Sequence, residues 1–201
     1  MQSFWNERFA SPEYVYGTLP NAFFAHSLST LKPGKLLLPA DGEGRNAVFA
    51  ASSGWVVEAF DFSSTARKKA LALANTRQVS LSYSISDIAS FPWPHHAFDA
   101  VGLFFVHVPE PLRLFLHQKA LQALKPDGVI LLEAFAPEQL ALDSGGPRSA
   151  DLLYSIDQIK ADFSGMEFLV AEQTETILDE GPFHQGRAAV TRFFAKKHPA
   201  S

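Results

Sequence analysis

The chain has 201 residues, 47% hydrophobic and 19% charged, which is enough for one well-buried core and short for two. A net charge of −4 leaves no electrostatic footprint for a phosphate backbone, and the basic clusters Arg67-Lys68-Lys69 and Lys196-Lys197 read as a solvated helix face and a chain end, so no nucleic acid partner is expected. The lack of cysteine excludes disulfides, thiolate nucleophiles and thiolate metal ligands together.

Residues 1–10 alternate charge with aromatics and carry no signal-peptide core. The longest uninterrupted apolar run, residues 100–106, is far shorter than the roughly 20 residues of a membrane span. A cytoplasmic protein without a membrane partner is the expectation.

In chain order, the first strong signal is at residues 35–61. Leu36, Leu37 and Leu38 read as a buried strand, Gly42-Glu43-Gly44 as a turn whose backbone approaches a ligand closely, and residues 45–51 as the following helix. Val56, Val57 and Phe60 make a second strand ending on Asp61, an acid able to accept hydrogen bonds from the two hydroxyls of a ribose. Such a unit binds a nucleotide-like cofactor. Gly42-x-Gly44-x-x-Ala47 also fits the relaxed dinucleotide fingerprint, and the plainer reading is a tight turn with Asp61 capping the next helix.

Ser63 or Ser64 caps a helix running to about residue 74, and residues 79–85 alternate as a strand ending at Asp87. A loop over residues 90–98 leads into a buried strand, 99–105. A helix over 109–124 stops at Lys125-Pro126-Asp127-Gly128, before a strand at 129–135. A helix at 157–163 precedes strands 166–174 and 188–195, joined by the loop 175–187. The alternation predicts an α/β fold: a seven-stranded, mostly parallel sheet with helices on both faces, ligands at the strands' carboxyl ends and an antiparallel last strand.

With these elements in place the chain resembles class I S-adenosylmethionine-dependent methyltransferases, in particular the tellurite-resistance and thiopurine methyltransferase-like group. Gly42-Glu43-Gly44-Arg45-Asn46 looks like that group's cofactor turn, Phe60-Asp61-Phe62-Ser63 like its ribose-binding strand end, and Ser86-Asp87-Ile88 like the acidic position near the adenine. Phe98-Asp99 through His107-Val108-Pro109 and residues 124–128 look like its fourth strand and the turn before its fifth. Trp5-Asn6-Glu7-Arg8-Phe9 and Glu13-Tyr14-Val15-Tyr16-Gly17 resemble the segment that closes over the cofactor. The chain departs from the pattern at Leu38, where an acid is common, and at Ala40, where a glycine is common.

The resemblance implies a Rossmann-like methyltransferase fold over residues 1–201 as one domain. Residues 1–30 would be the cover, 31–136 the cofactor-binding core and 137–201 the substrate-side loops and strand pair. It implies S-adenosylmethionine held by Ala40, Gly42, Gly44, Arg45, Asn46, Asp61, Phe62, Ser63, Asp87, Ile88 and Phe105, with no metal.

Methyl transfer from a sulfonium is an in-line displacement in which positioning in a dry site does most of the work. Trp5, Tyr14, Tyr16 and Phe105 are candidates for an aromatic wall around the cation, Phe105 also reading simply as core. His107 follows the fourth strand directly and is the candidate base, with a histidine satisfied by a backbone carbonyl as the structural alternative. Arg113 could orient an anionic substrate, a solvated helix-face arginine being the commoner outcome for such a position. His95-His96 reads as loop surface rather than a metal site. His184 and Arg187 lie in a glycine-flanked loop that suits substrate binding or a simple hairpin connection. The expected function is methylation of a small molecule; the alternative is a cofactor-binding protein of the same fold that acts through partners. The acceptor and the oligomeric state are beyond the sequence.

Overall fold

Leu36, Leu37 and Leu38 are all fully buried although neighbouring strand residues point to opposite faces, so the strand that carries them must be covered on both sides. A computed structural model describes residues 2–199 and shows how. β1 (Lys35–Pro39), β2 (Val56–Asp61), β3 (Ser82–Ile85), β4 (Phe98–Phe104), β5 (Leu124–Phe135), β6 (Met166–Asp179) and β7 (Gln185–Lys197) form one sheet in the order β3-β2-β1-β4-β5-β7-β6. Strands β1 to β5 are parallel, and β7 runs antiparallel to both β5 and β6.

Leu37, Val101, Leu103, Ile130 and Leu132 face one helical layer, where α5 (Glu110–Ala123) contributes Leu116 and Ala120 and α6 (Ile156–Asp162) contributes Ile159. Leu36, Leu38, Ala100, Val129 and Leu131 face the other. There α2 (Ala22–Ser29) supplies Phe24 and Leu28, α3 (Arg45–Ser52) supplies Ala47 and Ala50, and α4 (Ser64–Thr76) supplies Ala70. A first helix, α1 (Gln2–Arg8), lies in the amino-terminal segment. The expected seven-stranded fold is the observed one. Among the described residues no helix is long and apolar enough to cross a membrane.

Three local differences matter for the site. α2 lies inside the stretch expected only as a cover; Asn21 starts it by accepting the Phe24 N–H on its side chain. β5 begins at Leu124, because the Lys125-Pro126-Asp127-Gly128 segment is absorbed as an irregularity between the Phe98 and Ala100 pairings rather than standing apart as a turn. β6 and β7 pair to their tips, Asp179 opposite Gln185, which shortens the expected loop 175–187 to residues 180–184. Since β7 runs antiparallel to β5, that short loop is delivered to the edge where β1 to β5 have their carboxyl ends.

Candidate active site

The glycine turn is built by its neighbours. Gly44, at φ +83°, is the N-cap of α3, and a Cβ there would lie 2.5 Å from that of Ala70, so only glycine lets α3 and α4 approach this closely. Gly42 is also left-handed, and its peptide N–H donates to Asp61 Oδ2 at 3.2 Å while its carbonyl accepts the Tyr83 hydroxyl at 2.6 Å. The other Asp61 oxygen accepts the Ser63 N–H at 2.8 Å, and Ser63 caps α4. Asp61 thus joins the ends of β1 and β2, buried with its pKa raised, chiefly by desolvation. Each of its oxygens keeps a further acceptor position.

Two acids within the turn carry more of its architecture than the sequence indicated. Asp41 accepts the Ala47 N–H at 3.3 Å and so caps α3; partly open to the crevice but otherwise walled in, it is pushed up to about 8 by desolvation. Glu43 points away, accepting the Val15 N–H at 2.7 Å and that of Tyr16 at 3.4 Å and pairing with Lys69. It moors the amino-terminal segment to the turn. The available sequence signal was the spacing of two acids around Gly42.

The departures at Leu38 and Ala40 are accommodated differently. Leu38 is core, and its Cδ2 stands 2.6 Å from where a Cβ on residue 102 would be, so glycine on β4 makes the room. Ala40 takes φ +51°, a left-handed conformation that costs a non-glycine residue roughly 1–2 kcal/mol.

Asn46 Oδ1 accepts the Asn21 N–H at 2.9 Å, tying α3 to α2. Asn21 Nδ2 donates to Glu133 at the end of β5 (2.6 Å) and to Glu180 in the hairpin loop (3.0 Å). Arg45 Nη2 donates to Glu180 at 2.7 Å, while its Nη1 is buried and without a hydrogen-bond partner. Asp87 is exposed at the end of β3 and accepts the Ser90 N–H, Ile88 is core beside Phe60 and Phe91, and Phe62 is half-buried next to Asp61.

Beyond β4, Phe105 sits at φ +53° with its ring 4.8 Å from Phe135 and 4.5 Å from His184. Tyr16 also lies 4.5 Å from His184 and accepts a 3.4 Å hydrogen bond from Arg8. Trp5 stacks on Phe9, which packs against Gly42. The amino-terminal aromatics and the hairpin loop therefore meet over the turn. Tyr14 is not with them: its hydroxyl donates to the Lys69 carbonyl on the far side of the turn, beside Val48 and Leu73.

At His107 the structure shows the alternative, a histidine satisfied by backbone, and Arg113 and Arg187 are engaged by carboxylates. His107 Nδ1 donates to the Leu152 carbonyl at 2.7 Å and Nε2 accepts the Phe135 N–H at 3.3 Å, so the ring's one lone pair is engaged by backbone rather than free to act as a base. Burial pushes its pKa down to about 4. Arg113 is buried between α5 and α6, donating to Asp162 at 2.8 Å, away from the crevice. Arg187 forms an exposed bidentate pair with Glu175 across the hairpin. Among the described residues no group of three or more His, Asp or Glu is placed to hold a metal.

Residues 39–128 match the family model of a methyltransferase domain. No curated protein matches the chain by sequence. Among solved structures, one described for the conversion of a disulfide bond into a thioacetal group during echinomycin biosynthesis superposes with a TM-score of 0.78 at 18% identity, covering 100% of this chain and 94% of the other. TehB from Haemophilus influenzae gives 0.73 at 13%, covering 98% and 66%. The N-methyltransferase NodS from Bradyrhizobium japonicum gives 0.67 at 13%, covering 98% of each. Identities this low establish a shared fold.

Proposed function

We propose that the chain is an S-adenosylmethionine-dependent methyltransferase acting on a small molecule. One observation carries the reading: the part of the chain that matches a methyltransferase domain is the part whose glycine turn, Asp61 and buried Arg45 converge at the carboxyl edge of the sheet. The cofactor is S-adenosylmethionine.

The residues fit it. Gly42 presents its backbone without a side chain, Asp61 retains acceptor positions for ribose hydroxyls, and the unpartnered Arg45 Nη1 is a buried donor suited to the carboxylate of an amino-acid end. Asp87 and Ile88, which follow β3, are assigned to the adenine, and Ala40, Asn46, Phe62, Ser63 and Phe105 to the rest of the cofactor's surround. When bound, the cofactor supplies an electrophilic methyl on a sulfonium. The chain's own contribution is to orient the acceptor and exclude water, with the segment ahead of α2 as cover, 31–136 as the cofactor-binding part and 137–201 as the acceptor side. Trp5, Tyr16 and His184 belong to the acceptor's surroundings.

Within this reading the tellurite-resistance and thiopurine-type group is the favoured subgroup, on the strength of the paired motifs at both ends of the chain. Calorimetric titration with S-adenosylmethionine, followed by a transfer screen over thiols, hydroxyls, amines, carboxylates and metalloid oxyanions, is the test. Saturable binding and turnover of one class are expected; no binding would reject the function.

A further inference from the structure

The Glu180–His184 pair is built into the site beside the cofactor turn. His184 Nδ1 lies 3.3 Å from Glu180 Oε2, and the same carboxylate is gripped by Arg45 Nη2 at 2.7 Å and by Asn21 Nδ2 at 3.0 Å. An imidazole facing a carboxylate carries its proton on the facing nitrogen, so Nδ1 donates and Nε2 keeps its lone pair. Among the described residues no hydrogen bond engages Nε2, and it is not sealed from solvent. Around the ring stand Tyr16 at 4.5 Å, Phe105 at 4.5 Å and Phe135 at 5.2 Å, from the amino-terminal segment, the end of β4 and the end of β5. Arg45, at the start of α3, ties the pair directly to the cofactor turn.

We infer that His184 is the base of this site, held by Glu180 as its positioning residue, and that the acceptor is a molecule with an apolar body whose attacking atom is a hydroxyl oxygen or thiol sulfur. The inference rests on the methyltransferase reading. The acceptor's X–H bond breaks, its electron pair stays on X to form the bond to the methyl carbon, and the proton passes to Nε2. The methyl comes from the sulfonium, whose C–S bonding pair stays on sulfur as a neutral thioether. The imidazolium so formed faces the Glu180 carboxylate, the anion beside it among the described residues. The other groups facing His184 are Arg45 from α3, Arg8 from α1, the Tyr16 hydroxyl and neutral His107. Arg45 and Arg8 oppose the positive charge, and burial does so more strongly, so the resting histidine is neutral and Glu180, held down to about 2, is ionised.

The test uses the full chain with phenol, alkanethiol and amine acceptors. His184→Gln should lower turnover about 10²–10⁴-fold on hydroxyl or thiol acceptors while the Kd for S-adenosylmethionine stays within about threefold. Imidazole in solution should restore activity to His184→Ala. Glu180→Gln should move the acidic limb of the kcat/KM profile to lower pH, by about one unit or more, because the neutral ring has lost the anion that favours its protonation. Independently of turnover, nitrogen NMR of the cofactor-free protein should show the proton on Nδ1 of His184. Full turnover by His184→Gln, a proton on Nε2, or transfer confined to amines would each overturn the inference and leave the methyltransferase reading standing. Failure of the wild type to bind S-adenosylmethionine would instead remove that reading.

Discussion

Asp61 carries two duties that one substitution will separate. Its oxygens accept the Gly42 and Ser63 N–H groups, which shapes the turn, and its remaining acceptor positions are the ones assigned to the ribose. Asp61→Ala should weaken cofactor binding by about 1.5–3 kcal/mol, roughly tenfold or more, as read by calorimetry. Unchanged affinity would mean that the ribose lies elsewhere. His107 behaves differently, because its two contacts are with the backbone of Leu152 and Phe135. His107→Ala should cost about 1–3 kcal/mol of stability by leaving both groups unpaired, with a turnover loss well under a hundredfold at temperatures where the variant is folded. A variant that melts like the wild type yet is inactive would restore His107 as a base.

At the scale of elements, the decisive junction is between the amino-terminal segment and the glycine turn. Phe9 and Val15 are buried with Ala66, Asn6 accepts the Ser63 hydroxyl proton at 2.6 Å, and Glu43 holds the Val15 and Tyr16 N–H groups. The segment is held by a small separate apolar cluster and these hydrogen bonds rather than by the sheet core, so its local opening should be far less costly than global unfolding. Hydrogen exchange should show residues 5–17 exchanging faster than β1 and β4, slowing when S-adenosylmethionine is added. Glu43→Gln, which keeps an acceptor but removes the charge facing Lys69, should speed exchange of this segment without changing that of the central strands. Equal protection of the segment with and without cofactor would make it a fixed part of the fold.

For the whole molecule, buried ionisable groups pull the pH dependence of stability in opposite directions. His107 has its pKa depressed from 6.5 to about 4, so between those values the unfolded chain binds more protons, and the stability present above 6.5 is lost as pH falls towards 4. His117 and His184, also lowered mainly by desolvation, act in the same sense. Asp41 does the reverse. Its pKa is raised from 3.8 to about 8, the folded chain binds more protons within that window, and stability present below it is lost as pH rises towards 8. Asp61 and Glu133, both raised by burial, pull the same way as Asp41. Between 6.5 and 8 the Asp41 contribution is unopposed by His107, at up to about 1.4 kcal/mol per pH unit. Denaturant unfolding should therefore show stability declining over that range, and Asp41→Asn, which keeps an acceptor for the Ala47 N–H, should flatten the decline. A difference between variant and wild type that is the same at pH 6.5 and pH 8 would contradict this.

Some of this was determined by the sequence alone. The apolar runs at Leu36–Leu38 and in β4, the glycine turn and the strand-helix alternation dictate a sheet covered on both faces, because each is a local pattern with one inexpensive way to bury its apolar side. They also mark the turn and Asp61, since a glycine pair between strand and helix and an acid closing the next strand are neighbours along the chain. What depended on distant segments could not be read. Whether His107 is free or fastened turns on Leu152 and Phe135, and whether Arg113 faces a ligand or Asp162 turns on how α6 packs against α5. His184 gains its setting from the antiparallel pairing of β7 with β5, which carries the loop 180–184 to the carboxyl edge of strands far from it in sequence. Local periodicity records which side of an element is apolar. Only the tertiary fold decides which polar groups from separate elements share one buried space, because there each must find its partner among residues the chain does not place nearby.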